Sequence, residues 1–218
     1  MESIIYFIST AMNYVLLLNL TLFFTFSCGY GQRHGEKKIS SADISAVYIQ
    51  TDFVSTIEIL NTSGKEIKIN YSSEGEYQNM FVIQSKRTKS ALHISDYIQP
   101  FLEKLNDKLA AHKISAAKMT IFVPENISIY LTSKQANCII DAKLHYLFAE
   151  LNSGIFRANY FEGDADVHTI SGTITLYTKN ATLTTSTNTG IILTENMLGN
   201  HSINLISLNG DINVYKIK

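Results

Sequence analysis

The stretch "TISGTITLYTKN", Thr169–Asn180, decides the reading of this chain. It alternates apolar and polar residues as a strand does, and a Ser-Gly pair interrupts it. The phrase returns as "TNTGIILT" around Gly190 and "SLNGDINVYK" around Gly210, and a weaker copy, "LNSGIFRA", stands around Gly154. Gly154, Gly172, Gly190 and Gly210 follow one another at 18, 18 and 20 residues. A step of 18 back from Gly154 reaches Ala136, a residue nearly as small.

Aligned on these five small residues, the sequence resolves into columns. Two residues after them stand Cys138, Phe156, Ile174, Ile192 and Ile212; four after stand Ile140, Ala158, Leu176, Thr194 and Val214. Seven before stand Ile129, Leu147, Ala165, Leu183 and Ile203, and five before stand Leu131, Ala149, Val167, Thr185 and Leu205. Apolar columns at period two on both sides of a tight corner have an economical solution: the chain coils, and each strand pairs in parallel with its equivalent one turn later. The sequence thus predicts an all-β parallel solenoid of about five coils. Cys138, Phe156, Ile174, Ile192 and Ile212 are expected to stack in that order as a core ladder. Gly154, Gly172, Gly190 and Gly210 are expected to make the corners, preceded by the turn residues Ser153, Ser171, Thr189 and Asn209. An antiparallel meander also alternates, but it gives no reason for small-residue spacing and column identity to coincide.

The rest of the chain reads in four parts. Residues 1–31 are a signal peptide or membrane anchor, and 32–43 a polar tether. Residues 44–118 hold N-terminal strands and one amphipathic helix over about 100–115, "PFLEKLNDKLAAHKIS", placed to cap the first coil. Residues 119–218 are the solenoid, whose C-terminal edge at "INVYKIK" is expected to be bare or covered by a partner. Outward Ile139, Ile155, Ile191 and Leu193 are expected to lie under a cover, most simply that helix.

The apolar run Tyr14–Phe26 suits the core of a signal peptide better than a span of about 20 residues. Met1 and Met12 are both open as starts, and no Lys or Arg precedes the run. Gly29 and Gly31 suit cleavage before Gln32. Alternatively "TFSC" resembles a loose lipobox, which makes Cys28 a lipidation candidate. With only Cys28 and Cys138 present, no disulfide is expected.

The Gly-x-Ile phrases, the entry "FVPENISIYLTS" and the segment "NDKLAAHKISAAKMTIFVPE" resemble the adhesin-domain proteins of Gram-negative bacterial envelopes, relatives of the auto-transporter adhesin head-domain group. The resemblance runs from about Ile44 to the C-terminus. It implies a right-handed parallel β-solenoid on an exported protein, outer-membrane-attached, periplasmic or secreted, and it brings no catalytic residues.

Composition excludes some functions. A net charge of −1 and a pI near 6.6 do not build the field a nucleic-acid binder needs. "GDADVH" puts Asp164, Asp166 and His168 on one outward strand face, a candidate metal cluster that lacks a second set of ligands. A polysaccharide lyase or hydrolase on a β-helix is the enzymatic alternative, but Glu150, Arg157 and Asp166 fall in no common column. The expectation is a non-catalytic envelope protein that binds or scaffolds, with no catalytic residue and no cofactor. Its partner is a surface polymer or protein. Membrane contact runs only through the N-terminal segment or a lipid on Cys28, and self-association through the open end is a further expectation.

Overall fold

The computed structural model describes residues 33–75, 80–99 and 116–217, all within the unit Gln32–Lys218. The segment 1–31 with Cys28 and the helix expected over 100–115 lie outside the described residues. Among the described residues every regular element is a strand. In chain order these are β1 (Arg33–Ser40), β2 (Ala46–Thr51), β3 (Val54–Asn61), β4 (Glu66–Ser73), β5 (Phe81–Arg87), β6 (Ala91–Ile98), β7 (Ala117–Val123) and β8 (Ser128–Ser133). Then follow β9 (Asn137–Ser153), β10 (Phe156–Ser171), β11 (Ile174–Thr178), β12 (Ala181–Thr187), β13 (Ile192–Thr194), β14 (His201–Asn209) and β15 (Ile212–Lys216).

These strands join into one large, mostly parallel sheet with two ladders of pairing. The first runs β1-β4-β7-β3-β9-β10-β11-β15-β13. The second runs β5-β6-β2-β8-β9-β10-β14-β12. β9 and β10, 17 and 16 residues long, belong to both: their first halves pair in the first ladder and their second halves in the second. Only β1-β4, β4-β7 and β5-β6 are antiparallel. Those three pairs close the end at which the chain enters, and "RHGEKKIS", read from sequence as part of a tether, is β1 of that closure. It forms because Ile39 packs on the core while its charged neighbours face water.

Parallel pairing starts earlier than the glycine spacing indicates. Val47 and Ile49 of β2 lie beside Ile129 and Leu131, and Ile57 and Ile59 of β3 lie beside Cys138 and Ile140. The corner between β2 and β3 has no glycine and carries a register shift at Val54/Thr56. There the Asp96 carboxylate, 8% exposed, does what the glycine corner does elsewhere. It accepts the backbone N–H groups of Asp52, Phe53 and Val54 at 2.7, 2.8 and 2.8 Å. Buried backbone donors need such partners.

At the far end the stacking order differs from chain order. Cys138 pairs with Phe156 and Phe156 with Ile174, but Ile174 pairs with Ile212, and Ile212 with Ile192. The ladder thus runs Cys138, Phe156, Ile174, Ile212, Ile192. The second ladder makes the same exchange, with β14 between β10 and β12. The physical reason lies in composition. Segment 201–216 turns Ile203, Leu205, Ile212 and Val214 inward, and all four are buried. Segment 181–194 offers Leu183, Thr185, Ile192 and Thr194, two of them hydroxylated. Placing the more apolar segment inside and the threonines at the solvent end buries more hydrocarbon. The connection between them passes at Gly199, where a Cβ would run into the Asn180 backbone.

The inward columns of both ladders form one core, with Phe156 and Phe161 its largest fully buried side chains. The corner glycines stack in the same exchanged order. Gly172 has φ +149°, and a Cβ there would strike the Gly154 carbonyl oxygen. Only glycine meets both demands. The Gly210 position abuts Gly172, and Gly190 abuts Gly210. Beside this row runs a buried hydroxyl row in which Thr51 donates to Ser133 at 2.9 Å and Thr169 to Ser207 at 3.0 Å.

Candidate functional site

The acidic cluster named from sequence lies on the outward face of β10, and its neighbours consume its oxygens. Asp164 accepts the Ser202 N–H at 3.0 Å and faces His201 at 3.4 Å. Asp166 accepts the Asn204 amide at 2.7 Å and the Tyr146 hydroxyl at 3.1 Å. Burial first, and the bond to Asp166 second, hold the Tyr146 phenol above its ordinary pKa. His168 approaches Asp166 only to 3.8 Å. These groups tie β9, β10 and β14 together across the ladder. Among the described residues no group of three or more His, Cys, Asp or Glu side chains is arranged to hold a metal ion.

Other carboxylates are likewise paired. Glu58 accepts from Lys118 at 2.7 Å and from Thr120 at 2.9 Å. Glu162 accepts from Tyr160 at 3.0 Å and faces Lys143 at 3.3 Å. The Tyr160 bond is the chief cause that holds the Glu162 carboxyl below its usual value, with Lys143 adding to it.

The more distinctive surface lies on the second ladder, where β6, β2, β8 and β9 meet. Alternation turns His93, Tyr48, Tyr130 and Phe148 outward, and parallel register places them in one row. Tyr48 stacks on His93 with centroids 4.9 Å apart and on Tyr130 with centroids 4.7 Å apart, both pairs at 10°. Tyr130 and Phe148 then lean on Tyr146 and His168 at 5.8 and 5.9 Å. The stacked spacing is the strand spacing itself, so the sheet register sets the ring geometry. Two residues along each strand stand Ser95, Gln50 and Thr132.

Between the aromatic and polar rows lies an open trough of about 470 Å³, lined by Tyr48, Gln50, His93, Ser95, Tyr130, Thr132 and Phe148 over the backbone of Ile49 and Ile94. Among the described residues no Asp, Glu, Lys or Arg lines it; Glu150 stands just beyond its end, beside Thr132 in the polar row. The Tyr48 and Tyr130 hydroxyls, the Gln50 amide and the Thr132 hydroxyl bond no group among the described residues. Tyr48 is stacked on both faces, by His93 and Tyr130, so it offers its edge and hydroxyl to the trough.

The sequence frame contains half of this row. Tyr130 and Phe148 each stand six residues before the corner residues Ala136 and Gly154. Tyr48 and His93 belong to strands that the glycine spacing does not reach. Of the outward aliphatic residues, Ile155, Ile191 and Leu193 are exposed, and the segment 100–115 expected to cover them lies outside the described residues.

No family model matches this sequence, and no curated protein is significantly similar to it. A solved structure shares its fold. A candidate cell adhesion protein from Clostridium sporogenes superposes with a TM-score of 0.63 at 14% identity, covering 86% of this chain and 100% of its own. A candidate adhesin from Bacteroides fragilis is 12% identical over 86% of this chain and 99% of its own, with a TM-score of 0.37. At 14% identity the likeness to the Clostridium sporogenes protein is one of fold.

Proposed function

We propose that this chain is an exported, envelope-associated β-solenoid that works as a non-catalytic, adhesin-like binding module. Its ligand is an uncharged, polyhydroxylated polymer of the glycan class, held in the trough between the aromatic and polar rows. Two parallel ladders sharing one coil order support the solenoid. The apolar run Tyr14–Phe26, with either cleavage before Gln32 or acylation at Cys28, supports export. The shared fold with the Clostridium sporogenes candidate cell adhesion protein supports the adhesin-like reading.

The observation that carries the proposal is an open trough whose described lining holds no charged side chain, with aromatic rings on one side and, on the other, hydroxyl and amide groups that bond no described residue. Repeated weak contacts along a polymer reach useful affinity through multivalency, with no deep pocket required. The test is binding of the mature protein to arrayed glycans and isolated envelope polysaccharides, with Tyr48→Ala/Gln50→Ala as the variant. The expected outcome is binding to one uncharged class and a loss of roughly five- to thirty-fold in the variant, since two such contacts are worth about 1–2 kcal/mol. Binding that the variant retains in full, or no binding to any glycan, refutes the assignment.

A further inference from the structure

The two ends of the sheet are built differently. At one end the outer strands are β1 and β5, which carry Arg33, Glu36, Lys37 and Lys38, and Lys86 and Arg87. At the other end the outer strands are β12, whose only partner is β14, and β13, whose only partner is β15. From Asn180 to Thr194 there is no charged residue and no proline. Ile192, from the inward column, is 38% exposed, and Leu198 beside this end is 84% exposed. A free strand edge without charge, proline or cover is what proteins avoid unless something pairs with it.

We propose that this edge pairs with a second copy of itself, joining two chains end to end about a two-fold axis. Three observations select this occupant. First, the internal segments outside the described residues, 76–79 and 100–115, join the chain at β4, β5, β6 and β7, and all four strands lie at the opposite end. Second, the charged strands β1 and β5 cannot serve as the mate without setting their charges against an uncharged edge that offers them no counter-ion, so a head-to-tail filament is disfavoured and a closed isologous dimer results. Third, the edge is complementary to itself. Antiparallel pairing about Thr184, the middle residue of β12, sets Ala181 against Thr187, Thr182 against Ser186 and Leu183 against Thr185 of the second copy. Odd-numbered residues, which face inward, then meet odd-numbered residues, so both cores continue across the junction. A one-residue slip would set inward residues against outward ones.

The test uses the full chain, solubilised if it is anchored. Sedimentation should give a mass of two chains at micromolar concentration, and Thr184→Lys should reduce it to one chain while leaving the circular dichroism unchanged. Thr184 is exposed, and its replacement sets two like charges directly opposite each other. Independently, Thr184→Cys should give a covalent dimer with an oxidant or short bis-maleimide, above the background of the parent chain with Cys28 and Cys138. Thr182→Cys alone should give far less, because its partner position is Ser186. A parent chain that sediments as a monomer, a mass that grows without limit, a dimer that survives Thr184→Lys, or cross-linking at Thr182 equal to that at Thr184 overturns the proposal.

Discussion

Asp96 offers a severe test of how this fold is held. Its carboxylate is nearly buried and receives three consecutive backbone N–H groups, from Asp52, Phe53 and Val54, at 2.7–2.8 Å. Asp96→Asn keeps the shape and volume but has a single acceptor oxygen. If that oxygen keeps the Phe53 and Val54 donors, the new amide group faces the Asp52 N–H, donor against donor. One bond is lost, one buried donor is orphaned, and the two remaining bonds lose their charge assistance. A bond to a charged acceptor is worth roughly 1.5–3 kcal/mol, so the whole change costs about 3 kcal/mol. With a urea m-value of about 2 kcal/mol/M, the unfolding midpoint falls by about 1.5 M at unchanged m. Amide hydrogen exchange at Asp52, Phe53 and Val54 should rise most, because these donors lose their acceptor directly. Asp96→Ala, which orphans all three, should cost more than Asp96→Asn. A midpoint within about 0.3 M of the parent's would show that the corner does not depend on this carboxylate, and the account of β2-β3 given above would fail.

Gly172→Ala should destabilise by about 3 kcal/mol or more, because the left-handed backbone and the clash with the Gly154 carbonyl act together. Gly64→Ala, where a Cβ meets nothing nearer than Thr62 Oγ1 at 3.5 Å, is the control and should change little on chemical denaturation. Burial pushes the Cys138 thiol far above its ordinary pKa, so it should stay inert to a thiol reagent at pH 8 and react only on unfolding. Reaction in the native protein would place Cys138 outside the core. Glu162→Gln should lower stability modestly, by less than about 1 kcal/mol for so exposed a pair. Because the Glu162 pKa is lowered, its contribution is present above 4.5 and lost as pH falls through the folded value. The bond to Glu162, with burial second, raises the Tyr160 pKa, so its contribution is present below 10.0 and lost as pH rises through the folded value. The difference between parent and variant should therefore close at both ends of a pH series and shrink with salt. A constant difference across that series would remove this pair from the account.

Column membership was legible in the sequence because a strand has a period of two and a corner tolerates few residue types. Cys138 and Phe156, Leu131 and Ala149, and Leu147 and Ala165 are neighbours that the glycine alignment names. The alignment could not name Ile57 as the neighbour of Cys138. That corner holds one more residue than the others and closes on a carboxylate from β6, far away in the chain. Nor could it separate Tyr130 and Phe148 from other outward residues as a site, because the row becomes continuous only when Tyr48 and His93 arrive from another part of the chain.

By itself the sequence determined which residues of each strand point inward, where the glycine corners fall and that the strands stack in parallel, since steric limits and alternation act locally. Only the tertiary structure decided the order of the strands in the two ladders. A parallel strand accepts any equivalent strand as its neighbour, and backbone hydrogen bonds do not distinguish chain order. The choice falls to the burial of Ile203, Leu205, Ile212 and Val214 over that of Thr185 and Thr194, which is a comparison between whole segments rather than a property of either one.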